Sequence, residues 1–98
     1  MQNNINTDNL TVVHEKDNNR FTMAINGEIA KVVYQLRDHK MYLTYSEVPF
    51  KLRGKGYGKE LVERSFEQLT NEGYKAVAVC SYIKAVARSS EKWNSIIE

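Results

Sequence analysis

Hydrophobic and polar residues alternate along the first half of the chain with the period of two that is typical of β-strands. The alternation predicts four strands, over residues 11–16, 20–25, 28–36 and 41–48. Asn26-Gly27 lies between the second and third strands, and it is a strong hairpin signal because both of its residues must adopt positive φ. The first half is therefore predicted to be an antiparallel meander. In the fourth strand we expect Met41, Leu43 and Tyr45 to share one face.

The period of the apolar residues changes to that of an α-helix after Gly58. One helix face carries apolar or small residues, namely Leu61, Val62, Ser65, Phe66 and Leu69. Gly73 is well placed as the left-handed residue just past the end of this helix. A continuous apolar run over residues 76–80 then predicts a buried strand rather than an edge strand. Ser81-Tyr82 can open a second helix.

These elements predict an α/β (α+β) fold with a four-stranded antiparallel meander, a glycine-rich turn, a helix, a buried fifth strand and a short C-terminal helix. Trp93, Ile96 and Ile97 predict an amphipathic turn near the end of the chain. A chain of 98 residues can form one domain with one modest core. We expect a single domain over residues 11–98, preceded by a disordered N-terminus over the polar residues 1–10.

Composition and charge narrow the function classes. A formal net charge of +2 gives no general electrostatic case for binding nucleic acid. No apolar run approaches the roughly 20 residues that a membrane helix needs. The single cysteine, Cys80, cannot form an internal disulfide, so a reducing cytoplasm is the expected compartment. Zinc sites use several ligands, and we expect neither a metal site nor a membrane partner. A monomer is the expected state.

The positive charge is concentrated in residues 51–59, where glycines occupy the alternate positions 54, 56 and 58. Glycine has no Cβ, so the backbone can bring bare N–H groups close to a ligand. A helix that begins there adds free N–H donors and the positive end of its dipole. The segment therefore predicts an anion site, for a phosphate or pyrophosphate. The alternative is a tight turn with solvated lysines.

The segment differs from two well-known phosphate-binding loops. No Walker sequence is present, and the glycine spacing is not that of a dinucleotide fingerprint. A single-stranded nucleic acid could stack on the aromatic residue of this segment and contact its cations, but a wider basic groove is lacking. These residues are Tyr57, Lys51, Arg53, Lys55 and Lys59. Open α/β sheets bind ligands where strands end at helix starts, so the fourth and fifth strands are expected to separate around a ligand.

The run Arg53-Gly54-Lys55-Gly56-Tyr57-Gly58 resembles the Arg/Gln-x-x-Gly-x-Gly/Ala signature of the GNAT N-acetyltransferase superfamily. Together with Val48-Pro49, Glu72-Gly73 and Val79-Cys80-Ser81-Tyr82, it is similar to a small stand-alone GNAT-like subfamily that lacks the superfamily's N-terminal helices. That subfamily usually carries His-Pro near the end of its last helix, where this chain has Ser89-Ser90-Glu91.

The resemblance implies acetyl-coenzyme A as cosubstrate. The backbone from Arg53 to Lys59 would hold the pyrophosphate, and the backbone around Glu47 and Val48 would pair with the pantetheine arm. The implied activity is acetyl transfer to a primary amine, with a protein lysine or terminus as one acceptor class, directly or through Cys80. The alternative is a non-catalytic module that binds acyl-coenzyme A and regulates a partner.

Three side chains are candidates for the chemistry, each with a structural alternative. Cys80 could be an acetyl-accepting nucleophile if its pKa is lowered, or a small buried hydrophobe. Glu47 could be a general base, or a solvent-facing carboxylate on a strand. Tyr82 could protonate the leaving thiolate or donate a hydrogen bond to the acetyl carbonyl, or it could belong to the core. His14 could face a ligand groove, whereas His39 is expected to be solvated in a turn.

Overall fold

The structure, a computed structural model, describes residues 10–98. It contains five strands, β1 (Val12–Glu15), β2 (Arg20–Ile25), β3 (Glu28–Arg37), β4 (Lys40–Glu47) and β5 (Lys75–Ala78). Three α-helices follow β4, namely α1 (Tyr57–Asn71), α2 (Ser81–Arg88) and α3 (Glu91–Ile96). The predicted elements are thus confirmed to within a few residues, except that two short helices, not one, end the chain.

The five strands form one sheet in chain order, β1-β2-β3-β4-β5. Strands β1 to β4 are antiparallel neighbours, and β5 is parallel to β4, so α1 is the crossover connection. Asn26 and Gly27 have φ values of 51° and 81°, which confirms the predicted hairpin turn. Gly73, with a φ of 90°, lies just past α1 as expected.

Helices α1 and α2 cover one face of the sheet. Alternate residues of β3 and of β2 (Phe21, Met23 and Ile25) are buried against the apolar stripes of α1 and α2 in one core, and Thr22 of β2 is buried as well. Fully buried side chains come from both layers, among them Phe21, Met23, Met41, Leu43, Leu61, Phe66 and Ile83. The alternation read from the sequence therefore identifies the helix-covered face correctly over most of the meander.

A β-bulge interrupts the alternation in β4. Tyr34 pairs with Leu43 and Val33 pairs with Tyr45, so Thr44 is an extra residue on this strand. The bulge moves Tyr45 off the core face, and its side chain is 48% exposed. The expectation that Tyr45 shares the face of Met41 and Leu43 is therefore wrong. Its neighbour Ser46 pairs with the buried Val32 and so lies on the helix-covered face.

Strand β5 differs from the buried strand that its apolar run predicts. It lies at one end of the strand order, and only Ala76 and Ala78 are buried, because helices cover only one face. The backbone of Glu98 covers part of its outer edge through hydrogen bonds with Ala76 and Ala78. Cys80 lies beyond the strand, at the residue that precedes α2.

The two ends of the domain are anchored in the core. Leu10, the last residue of the segment predicted to be disordered, is buried and its carbonyl accepts a hydrogen bond from Arg64, whereas residues 1–9 fall outside the described residues. Ser90 caps α3 by accepting from the Trp93 N–H at 3.2 Å. Trp93 and Ile97 are buried as predicted, but Ile96 is 44% exposed. Within residues 10–98, no helix is long and apolar enough to span a membrane.

Candidate functional site

A cleft of about 450 Å³ opens where β4 runs past the end of β5. The β4–β5 pairing ends at Leu43 and Ala78, and the N–H groups of Val79 and Cys80 both donate to the Leu43 carbonyl at 3.0 Å. The chain then turns into α2, so the last four residues of β4 have no partner in β5. The two strands are thus unpaired beyond Leu43, and their separation around a ligand stays a prediction. The cleft is lined by Tyr45, Ser46, Glu47, Val48, Leu52, Arg53, Gly54, Gly56, Gly58, Leu61 and Tyr82.

The glycine loop, residues 53–59, leads from this cleft into α1. Gly54 and Gly56 have φ values of 78° and 88°, a conformation that favours glycine, and a Cβ at either would meet no atom within 4 Å. Gly56 is the N-cap of α1 and offers no side-chain cap. None of the backbone N–H groups of residues 54–59 donates a hydrogen bond to a described residue. Six free donors therefore stand at the positive end of the α1 dipole.

The basic residues around the loop add to this positive potential. Among the described residues, Arg53, Lys55 and Lys59 have no carboxylate within 4.0 Å, and Lys51 has only Glu28, at 3.9 Å. Arg53 Nε donates to the Val48 carbonyl at 2.9 Å, which braces the end of β4 against the loop. The Val48 carbonyl, which the family resemblance assigns to the pantetheine arm, is thus already bonded to Arg53. Binding of an anion at the loop stays a prediction.

Gly58 serves a purpose that the sequence did not indicate. It lies within α1, and a Cβ built there would lie 2.9 Å from the Tyr82 hydroxyl. The missing side chain therefore makes room for Tyr82 in the cleft wall. Burial, and secondarily the negative charge of Glu63, raise the pKa of Tyr82 above its ordinary value. Tyr82 consequently keeps its proton at neutral pH and is available as a hydrogen-bond donor.

Cys80 is half-buried at the N-cap of α2. Its Sγ lies 3.6 Å from Ser46 Oγ. Burial raises the pKa of Cys80, but the nearby backbone N–H groups of Ile83 and Tyr82 and the contact with Ser46 favour the thiolate more strongly, and the pKa falls below its ordinary value. Cys80 itself does not line the cleft, whereas Ser46 and Tyr82 on either side of it do. Ser46 was missed from the sequence because the bulge that turns it inward has no local signal.

Glu47 lines the cleft from the other face of the sheet. It pairs in register with Lys31, and its carboxylate lies 3.5 Å from the Lys31 ammonium. Its side chain is 43% exposed. A solvated carboxylate is compatible both with a general base and with a solvent-facing residue on a strand. The structure brings Glu47, Val48, Arg53, Gly54, Gly56, Gly58 and Tyr82 together around the cleft, whereas Lys55, Tyr57 and Lys59 lie outside its lining.

His14 belongs to a separate, buried network at the other end of α1. Its Nδ1 lies 2.9 Å from a Glu72 carboxylate oxygen and its Nε2 lies 2.6 Å from the Tyr34 hydroxyl. The imidazole is 5% exposed and stacks on Phe21 at 4.4 Å. These contacts place His14 in the core rather than in a ligand groove. His39 is in the predicted turn and stacks on Tyr74 at 4.6 Å. The described part of the chain has no cluster of three or more metal-ligating side chains.

Comparison with known proteins gives consistent matches. The model of the GCN5-related N-acetyltransferase family matches residues 20–96. The chain is 27% identical over 84 residues, 83% of its length, to Protein NATD1 of Gallus gallus and to Protein NATD1 of Homo sapiens. The matched residues cover 76% of the Gallus gallus protein and 74% of the Homo sapiens protein. The solution structure of a GCN5-like protein from Staphylococcus aureus aligns with a TM-score of 0.67 and 22% identity, over 93% of this chain and 90% of that one.

The structural match shows a shared fold, and the family model spans most of the chain. That span includes the glycine loop, the bulged strand β4 and Cys80. The signature read from residues 53–58 and the match of the whole domain therefore lead to the same assignment. The chain belongs to the GCN5-related N-acetyltransferase family.

Proposed function

We propose that the protein binds acetyl-coenzyme A in the cleft and transfers its acetyl group to a primary amine. The observation that carries this proposal is the row of six free backbone N–H groups at residues 54–59. Backbone donors at a helix N-terminus are a general means of binding phosphate. Here they are accompanied by Arg53, Lys55 and Lys59, which have no carboxylate partner among the described residues.

The remaining cosubstrate contacts follow from the strand geometry. Beyond Leu43, β4 has no partner strand on the β5 side, so its edge is available to the amide groups of a pantetheine arm. An arm that follows this edge from the loop toward Leu43 passes Val48, Glu47 and Ser46. In this placement the thioester end comes to the part of the cleft where Tyr82 and Ser46 lie, next to Cys80.

The chemistry asked of the side chains is modest. A lysine-type amine has a pKa of about 10.4 and must lose a proton before it attacks. Glu47 can accept this proton through water, because its carboxylate is solvated at the cleft. Tyr82 lines the cleft and is protonated at neutral pH, so it can donate its proton to the departing thiolate once its hydroxyl turns from Gly58 toward the thioester. In the direct route the amine nitrogen bonds to the acetyl carbon and the carbon–sulfur bond then breaks.

Cys80 offers a second route to the same product. Its thiolate would attack the thioester, release coenzyme A as the leaving thiol and hold the acetyl group as a new thioester. The amine would then attack that carbon and return the thiolate. The lowered pKa of Cys80 supports this route, whereas its absence from the cleft lining favours direct transfer. A protein lysine or chain terminus remains the acceptor class that we propose.

Isothermal titration with acetyl-coenzyme A tests the binding site. Gly56→Ala places a Cβ in the open space beside the free N–H groups, and we expect at least tenfold weaker binding. Gly73→Ala is the matched control, because Gly73 also has positive φ and open space but lies past the other end of α1. Equal affinity in wild type and Gly56→Ala would contradict the loop assignment.

Release of free coenzyme A thiol in the presence of an amine panel tests turnover. Cys80→Ala separates the two routes, because unchanged turnover in this variant excludes an obligatory acetyl-cysteine. Mass spectrometry of the wild type after mixing with acetyl-coenzyme A alone would detect acetyl-Cys80 directly. Tight binding with no thiol release from any amine would favour the alternative, a module that binds acyl-coenzyme A without turnover.

A further inference from the structure

Phe50 is the most exposed of the large hydrophobic side chains in residues 10–98, at 82%. It begins the 3-10 turn Phe50–Leu52, which joins β4 to the glycine loop. Leu52 anchors this turn in the core, and the N–H groups of Leu52 and Arg53 donate to the carbonyls of Pro49 and Phe50 at 2.8 and 3.2 Å. The ring is therefore held out to solvent by an ordered turn.

One side of the Phe50 ring already has a partner. The guanidinium carbon of Arg53 lies 5.8 Å from the ring centroid, within the range of a cation–π contact. The same side chain is fixed by its bond to the Val48 carbonyl. With the ring 82% exposed, its other face stays open to solvent. The result is a flat apolar surface with a positive charge on one side, and the free N–H groups of residues 54–59 begin four residues further along the chain.

We propose that Phe50 and Arg53 form the platform on which the adenine of the cosubstrate stacks. This inference rests on the proposed function, since it takes the diphosphate to lie on the glycine loop. In coenzyme A one ribose separates the adenine from the diphosphate, and Phe50 is four residues from Gly54, where the free N–H groups begin. Adenine offers a flat π face that stacks on aromatic rings and guanidinium planes.

Titration of two ligands isolates this contact. S-acetyl-4′-phosphopantetheine keeps the arm and one phosphate of acetyl-coenzyme A but has no adenine. Stacking of a base on an aromatic ring changes affinity by about fivefold or more on alanine substitution. We expect Phe50→Ala to weaken acetyl-coenzyme A binding about five- to tenfold, with no change for the fragment. Phe50→Trp should retain the affinity, and Phe50→Leu should behave like Phe50→Ala.

The outcomes separate the inference from the proposed function. If the wild type binds acetyl-coenzyme A and Phe50→Ala binds it equally well, the platform is overturned but the proposed function stands. Equal weakening for both ligands also overturns it, because the ring would then contact the arm or acceptor side. No binding of acetyl-coenzyme A to the wild type removes both. Because Phe50 is exposed, we expect its variants to fold like the wild type. Thermal unfolding curves that match the wild type would check this.

Discussion

The contact between Gly58 and Tyr82 yields a quantitative prediction. A Cβ at position 58 would lie 2.9 Å from the Tyr82 hydroxyl and 3.3 and 3.4 Å from two ring carbons. Gly58→Ala therefore forces Tyr82 to move, although the resembled signature accepts either Gly or Ala at this position. Tyr82→Ala removes all three contacting atoms, so the same glycine substitution should then be free of conflict.

The expected energies follow from two opposing effects. Alanine stabilises a helix by about 0.5–1 kcal/mol relative to glycine. Overpacking costs about 1–3 kcal/mol, and the low end applies here because Tyr82 is 45% exposed and can turn outward. Gly58→Ala alone should therefore lower the free energy of unfolding by about 0.5 kcal/mol. In the Tyr82→Ala background it should raise it by about 0.5–1 kcal/mol.

Urea unfolding of the wild type, both single variants and the double variant gives the coupling energy. We expect about 1–1.5 kcal/mol of coupling, which lies in the range found for residues in contact. Thr70→Ala with Tyr82→Ala is the control cycle, because Thr70 is exposed near the far end of α1. A Gly58–Tyr82 coupling below about 0.5 kcal/mol, as small as for distant residues, would refute the assigned role of Gly58.

Two further predictions concern ionisable groups. The rate at which iodoacetamide alkylates Cys80 should rise with pH, with a midpoint below the ordinary thiol pKa of 9.0. Ser46→Ala should move the midpoint upward, because a hydrogen bond to the thiolate is lost. An unchanged midpoint in Ser46→Ala would contradict this. For Glu72, burial raises the pKa, but hydrogen bonds from Gln68 and His14 outweigh it and the net pKa is lowered. This carboxylate therefore stabilises the fold above its unfolded pKa, near 4.5, and the contribution is lost as pH falls through the lower folded value. Unfolding curves at pH 7 and across pH 5 to 3 should show a shallower acid loss for Glu72→Gln than for the wild type, with the exposed Glu67→Gln as control; identical slopes would argue against the network.

Local sequence patterns were sufficient to predict the order and type of the secondary-structure elements. Period-two alternation marks the four strands of the meander, and the change of period marks α1. Asn26-Gly27 and Gly73 mark where the chain must adopt positive φ. These signals survive in the fold because each depends on residues that are close in sequence. The glycine loop was found for the same reason, since its glycines, its cations and the start of α1 are contiguous.

The details of the site depended on residues far apart in sequence. The bulge at Thr44 reverses the facing of Tyr45 and Ser46, and only the pairing with β3 reveals it. Gly58 and Tyr82 meet because the β5 crossover returns the chain beside the start of α1.

Sequence therefore determined which chemistry is present, a run of bare N–H groups among cations and one cysteine. The tertiary structure decided how it is arranged. It set Ser46 beside Cys80, Tyr82 against Gly58, and His14 in the core with Glu72. The physical reason is that propensity and periodicity act between near neighbours, whereas register, bulges and close packing are settled only when distant segments compete for the same space.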